Sequence, residues 1–152
     1  MTLEKYQKKR KFDKTSEPKG KTGSSKSNIF VVQKHRATNL HYDLRIAYQG
    51  VLKSWAVPKK PLLQAGKKRL AIQTEDHPLE YAKFEGKIPE GEYGAGTVKI
   101  WDKGKCELIK KNFKKGHLQI NFRGDKLKGI YNLIKTNQKK GKNWWILFKS
   151  KQ

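Results

Sequence analysis

The chain has 152 residues, enough for one domain with a real core and too few for two comfortable ones. Its 36 Lys and Arg against 13 Asp and Glu leave a formal charge of +23, which points to a polyanionic partner, above all a phosphate backbone. Cys106 is the only cysteine, which excludes an intrachain disulfide and the cysteine-based zinc modules and suits a reducing interior.

Residues 1–11 lack an apolar leader and no apolar run reaches membrane-spanning length, so a cytoplasmic protein with no membrane partner is expected. Residues 1–28 carry nine Lys and Arg against three acids, few apolar side chains and a Ser-rich run at 24–27. This composition predicts a basic, partly disordered N-terminal arm with a short helical turn at 3–9, followed by a folded domain over 29–152. From residue 29 the pattern is β. Strands are predicted at 30–35 and 40–48; Gln49-Gly50 turns the chain into 51–57, and Pro58 and Pro61 end that strand. Residues 69–75 alternate again, and the chain then enters a helical turn where Pro78 is tolerated at a first helical position.

Gly91, Gly94 and Gly96 mark a loop that resembles a phosphate-binding glycine loop only superficially, because the Lys-Ser/Thr ending is missing. It reads as a structural turn. Residues 97–101 and 105–109 read as a hairpin around 102–104, and strands at 117–122, 129–135 and 144–148 follow, with turns at 123–125 and Gly141. Many short strands with almost no helical periodicity predict an all-β barrel or sandwich. The predicted core is Phe30, Val32, Leu40, Tyr42, Leu44, Trp55, Leu70, Ile72, Val98, Ile100, Ile120, Leu133 and Ile146. Of Trp144-Trp145, one ring is expected inside and one at the surface. His117 receives no role.

The chemistry concentrates in residues 33–45. On a strand, His41, Asp43 and Arg45 share one face while Leu40, Tyr42, Leu44 and Ile46 share the other. If the turn folds His35 back, two imidazoles and one carboxylate form a three-ligand set with open positions, suited to Mn, Zn, Co or Fe(II). Arg45 lies one step along and offers a planar fork to an anion on that metal. His77, at the end of the 69–75 strand, is expected to share a face with Gln73 and Glu75. Tyr81 follows four residues later, on the same side of a helical turn. Both are candidates to bind phosphate, with His77 also a candidate general acid.

In order, Phe30-Val31-Val32-Gln33-Lys34-His35, Leu40-His41-Tyr42-Asp43-Leu44-Arg45, Ser54-Trp55-Ala56-Val57-Pro58-Lys59, Glu75-Asp76-His77-Pro78-Leu79-Glu80-Tyr81 and Ile88-Pro89-Glu90-Gly91-Glu92-Tyr93-Gly94-Ala95-Gly96 resemble one family. It is the phosphoesterase domain of the bacterial ligase D end-joining enzymes, which also occurs as small stand-alone proteins, and the resemblance runs from about residue 10 to 148. It implies a compact, mainly β single-domain barrel and a manganese-dependent enzyme that heals 3′ ends of DNA or primer–template strands. One step removes a 3′-terminal ribonucleoside and leaves a 3′-phosphate; a second leaves a 3′-hydroxyl. By residue match it implies His35, His41 and Asp43 as metal ligands, and Arg45, His77 and Tyr81 as catalytic, phosphate-binding residues. Arg10, Glu17, Gln33 and Glu75 are implied as supporting positions.

Where the family usually has an acid after that arginine, this chain has Lys11, with Asp13 two positions further on. If that carboxylate serves the ribonucleoside-removing step, the balance between the two activities is expected to differ here, a mainly phosphomonoesterase enzyme being one alternative. With no ligase or polymerase segment in the sequence, sealing is expected to need separately encoded partners, and the chain is expected to be a monomer. A non-catalytic basic barrel that only binds nucleic acid would explain the charge but not the metal set.

Overall fold

A computed structural model describes residues 3–24, 26–136 and 143–151. Nine strands form one sheet: β1 (Ile29–Arg36), β2 (Leu40–Tyr48), β3 (Val51–Val57), β4 (Lys68–Pro78), β5 (Gly86–Ile88), β6 (Gly96–Asn112), β7 (His117–Gly124), β8 (Lys128–Lys135) and β9 (Trp144–Lys149). Their order is β1-β2-β3-β4-β9-β8-β7-β6-β5, and β1 also pairs with β6. That last pairing closes an eight-stranded antiparallel barrel and leaves β5 as a flap on β6. A five-residue helix α1 (Glu4–Lys8) and a 3-10 turn (Leu79–Lys83) are the helical segments among the described residues. None of them is long and apolar enough to cross a membrane.

The hairpin turn at Gln49-Gly50 has positive φ at both residues (48° and 87°), the left-handed pair whose twist matches that of the flanking strands. Strand alternation then separates two apolar clusters. Phe30, Val32, Leu44, Trp55, Ala71, Ile120, Leu133 and Trp145 belong to one cluster fed by every strand of the closed ring, which makes it the barrel interior. Val31, Ala47 and Leu52 point the other way. They pack outside the wall beneath Tyr6 of α1, Tyr81, Ala82 and Phe84 of the 3-10 turn region, and Ile88 of β5. Each cluster residue removed from water contributes about 1.5–3 kcal/mol for a large aliphatic or aromatic side chain, so the outer layer is held by real burial.

Several expectations are corrected. Residues 97–101 and 105–109 are not a hairpin but one 17-residue strand, β6. Asp102 sits in its middle, buried, and its carboxylate accepts backbone N–H bonds from Lys103, Asp125, Lys126 and Leu127. It organises the β7–β8 turn instead of making one of its own. In β4 and β9 the predicted core face is inverted: Ala71, Trp145 and Leu147 are buried inside, while Leu70, Ile72 and Ile146 are half-buried on the other face. Size misled the reading, because small Ala71 takes the inward place beside the bulky Trp145. Leu40 is 41% exposed, since it stands at the open start of β2. Ile100 is only half-buried, packing on the outer layer. The turn predicted at Gly141 falls outside the described residues.

The N-terminal stretch differs most from expectation. Leu3 and Tyr6 are buried, the Tyr6 hydroxyl donates to the Pro18 carbonyl, and the Gly23 amide donates to the Gly50 carbonyl at 2.8 Å. Instead of an unattached arm, residues 3–23 make a strap over the outer face of β4 and the 3-10 turn. Three aromatic or aliphatic anchors (Leu3, Tyr6 and Phe12) suffice for this in an otherwise polar segment.

Candidate active site

The polar cluster lies on the outside of the barrel wall, in the layer between wall and strap. β1 and β2 pair antiparallel with His35 opposite His41 and Gln33 opposite Asp43. Their outward residues, Gln33 and His35 on one strand and His41, Asp43 and Arg45 on the other, therefore meet as a patch. The two imidazole rings lie 4.7 Å apart. Asp43 stands between them, with one carboxylate oxygen 3.4 Å from His35 Nδ1 and the other 3.3 Å from His41 Nε2.

The outer nitrogens of both rings face backbone carbonyls: His35 Nε2 is 2.7 Å from the Gly94 oxygen and His41 Nδ1 is 3.2 Å from the Asn39 oxygen. A carbonyl only accepts, so the N–H of each neutral imidazole is spent there. What remains toward Asp43 is a bare nitrogen from each ring facing a carboxylate, an arrangement that calls for a cation between them. Ligand atoms from the three residues lie within 4.8 Å of one another. Donors about 2.1 Å from one ion would stand roughly 3–3.5 Å apart, close to the two His–Asp separations. The three residues could hold a metal ion. Gly94 makes its part possible with φ of 77°, turning its carbonyl back toward His35.

Charge is regulated around this trio. Burial opposes ionisation of Asp43, but Arg45 overcomes it, joined by an imidazole whenever that ring carries a second proton and donates to the carboxylate, and the carboxyl is held far below its ordinary value. Burial likewise opposes a charge on His41, and Asp43 outweighs it, raising the ring above 6.5. Arg45 Nη2 is 3.5 Å from Asp43, and its Nε donates to Gln33 Oε1 at 2.7 Å. Fully buried Gln33 in turn donates to the carbonyls of Tyr81 (2.7 Å) and Phe84 (3.1 Å). One amide thus orients the guanidinium and ties the 3-10 turn to the wall.

A second group faces the first across the same cleft, whose lining includes Arg10, His35, His41, Asp43, Arg45, Glu75, His77, Tyr81 and Tyr93. Arg10 donates from Nε to Glu17 (2.9 Å) and from Nη1 to Glu75 (3.4 Å) and to the Tyr6 carbonyl (3.0 Å). Its guanidinium lies 4.0 Å over the Tyr6 ring. The Tyr81 hydroxyl donates to Glu17 at 2.5 Å, so its single proton is already engaged, and burial is the main cause raising its pKa. Lys11 and Asp13 are exposed and neither lines the cleft.

His77 is held in one tautomer. Its Nδ1 lies 2.9 Å from the Glu75 carbonyl and 3.3 Å from Ser54 Oγ, which fixes the N–H on Nδ1 and leaves Nε2 bare, 3.4 Å from Arg10 Nη2. Burial, then Arg45 and Arg10, hold its pKa well below 6.5, so the ring rests neutral. Gln73 does not share its face. The β3–β4 register shifts between Leu52 and Ser54, and this bulge turns Glu75 and His77 outward. Gln73 accepts instead from the indole of Trp145, on the inward side. Sequence reasoning missed Tyr6, Lys9, Ser54 and the Gly94 carbonyl. Tyr6 had a signal, standing four residues before Arg10 on a helical turn; Ser54 had only its alternation with Trp55.

A closed barrel with a two-histidine, one-carboxylate cluster beside buried arginines on its outer wall defines a metal-and-phosphate type of site. A family model described as the DNA ligase D 3′-phosphoesterase domain matches residues 33–135. The multifunctional non-homologous end joining protein LigD of Pseudomonas aeruginosa is 47% identical over 155 residues, 98% of this chain and 18% of that protein. The LigD repair protein of Mycobacterium tuberculosis is 46% identical over 146 residues (93% and 19%), and that of Mycolicibacterium smegmatis 44% over 152 (91% and 19%). The chain belongs to the family of DNA ligase D 3′-phosphoesterase domains. It spans just under a fifth of the length of the curated relatives it matches. Membership supports a hydrolase acting on phosphoester bonds.

Proposed function

We propose that this protein is a metal-dependent phosphoesterase that heals 3′ ends of DNA, or of primer strands ending in a ribonucleotide, and leaves a 3′-hydroxyl for end joining. The observation that carries the reading is the pair of imidazoles whose N–H groups are spent on backbone carbonyls while bare nitrogens face Asp43. His35, His41 and Asp43 would hold a divalent ion, manganese first, with zinc or cobalt as substitutes. When bound, such an ion supplies Lewis acidity toward a phosphoryl oxygen and lowers the pKa of water.

The remaining residues do the binding and the proton work. Arg45, oriented by Gln33, offsets charge on the phosphoryl oxygens. His77 is the proton acceptor, its tautomer set by the Glu75 carbonyl and Ser54. Tyr81 can donate to phosphate only by releasing Glu17, which Arg10 still holds. The cleft's carboxylates Glu17, Asp43 and Glu75 are balanced by Arg10, Arg45 and Lys9, so a divalent ion leaves it matched to a phosphate dianion. The surplus of 23 basic over acidic residues fits a substrate held by its backbone and not by its sequence. We take the protein to act as a monomer in the cytoplasm, alongside ligase and polymerase activities.

The test is a primer ending in 3′-phosphate and a matched primer ending in a 3′-ribonucleotide, each incubated with and without manganese. The proposal predicts manganese-dependent conversion of both to a 3′-hydroxyl; conversion of the phosphate alone would restrict the activity to the phosphomonoesterase step. Salt-sensitive binding with no conversion at any metal concentration would instead make the protein a non-catalytic nucleic-acid-binding barrel.

A further inference from the structure

The glycine-rich loop between β5 and β6 holds one side chain that no step above uses. Tyr93 lines the cleft yet is 45% exposed, and it is the single aromatic among the large hydrophobic side chains most exposed in the described residues. Its neighbour Gly94 carries the carbonyl that accepts from His35, so the ring stands one residue from the anchor of the metal-ligand cluster. Cations from the strap lie over the ring: Lys9 Nζ is 4.8 Å and the Arg10 guanidinium 5.2 Å from the centroid. Lys9 also donates to the Tyr93 hydroxyl at 3.3 Å.

An aromatic 45% exposed at the mouth of a cleft, with two cations drawn over its ring, is poorly explained as core packing. It has the makeup of a nucleotide platform, with a π-face for a base and cations for the adjoining phosphates. A mobile surface loop would not hold a ring for that purpose, but here Gly94 ties the loop to β1 and Lys9 ties the ring to the strap. We propose that Tyr93 stacks on the nucleobase of the nucleotide whose 3′-phosphate enters the cleft, making the enzyme selective for nucleotide ends over other phosphoesters. The proposal rests on the phosphoesterase reading above and deepens it, since stacking tolerates every base and so gives a sequence-independent grip on a strand end.

The experiment compares two primers with a 3′-phosphate, one ending in a normal nucleotide and one ending in an abasic residue. Tyr93→Ala should raise KM for the normal primer about tenfold or more, the worth of one base stack, with little change in kcat. The same variant should leave KM for the abasic primer unaltered, and Tyr93→Phe, which keeps the ring, should restore the normal KM. A second readout needs neither metal nor turnover: 2-aminopurine at the primer terminus should be quenched by the wild-type protein and by Tyr93→Phe, and not by Tyr93→Ala. Equal KM increases on both primers, or quenching that survives Tyr93→Ala, would overturn the proposal. Absence of turnover on either primer with the wild type would refute the phosphoesterase reading alone, and the quenching would still decide the role of Tyr93.

Discussion

Replacing Arg10 by Leu tests whether the N-terminal strap is part of the folded site. The Arg10 side chain is 5% exposed and faces two carboxylates that are themselves almost fully buried, Glu17 at 2.9 Å and Glu75 at 3.4 Å. Burial disfavours its charge, but Glu17 overcomes this and raises the guanidinium above its ordinary value. Removing one member of a buried pair strands the other charge and costs about 3–5 kcal/mol. Glu75 keeps Lys9 and Glu17 keeps the Tyr81 hydroxyl, so the lower part of that range is expected. With an m-value of about 2 kcal/mol/M, the urea midpoint should fall by roughly 1.5–2 M. Lys11→Ala, one residue away on an exposed side chain, should stay within about 0.5 kcal/mol. Arg10→Leu combined with Glu17→Leu should lose less than the two single changes added together, by about 1–3 kcal/mol. A midpoint for Arg10→Leu indistinguishable from that of Lys11→Ala would show that residues 1–28 are a free arm and refute the reasoning.

Three further outcomes follow from the geometry. Neutral, buried His77 must take up a proton on unfolding below its ordinary value of 6.5, so it makes stability fall as pH drops through 6.5; urea midpoints between pH 7.5 and 5 should show a shallower fall for His77→Asn than for the wild type. Asp102→Ala leaves four backbone N–H groups without their acceptor and should lower the melting temperature by roughly 6–12 °C, read by circular dichroism, with activity per folded molecule retained. Manganese at about a hundred times its dissociation constant should add about 2.7 kcal/mol to the stability of the wild type and nothing to Asp43→Asn, measured by denaturation with and without chelator.

The barrel was legible because its strands declare themselves by alternation, and the grouping of His35, His41, Asp43 and Arg45 was legible because they sit on two strands joined by a short turn. Local period puts His41, Asp43 and Arg45 on one face, and the short turn brings His35 opposite His41. What was not legible depends on contacts distant in sequence. The β4 bulge, which separates Gln73 from Glu75 and His77, arises from a register with β3 that no local pattern encodes. Ala71 gives little hydrophobic signal, and its inward place follows from pairing with the bulky Trp145 on the neighbouring strand β9. The strap looked disordered because its composition is polar, yet two buried residues, Tyr6 and Arg10, carry contacts reaching more than 60 positions along the chain to Glu75 and His77. The neutral state of His77 likewise comes from Arg10 and Arg45, which arrive from different segments.

The central claim is that the His35, His41 and Asp43 cluster supports phosphoester hydrolysis at a strand end. It is tested most directly by phosphate release from a 3′-phosphorylated primer–template in manganese, comparing the wild type with His41→Ala at equal folded concentration. The loss of several kcal/mol of charge stabilisation predicts a fall of about a hundredfold or more with the melting temperature in chelator nearly unchanged. Equal manganese-dependent turnover by the two proteins would contradict the account.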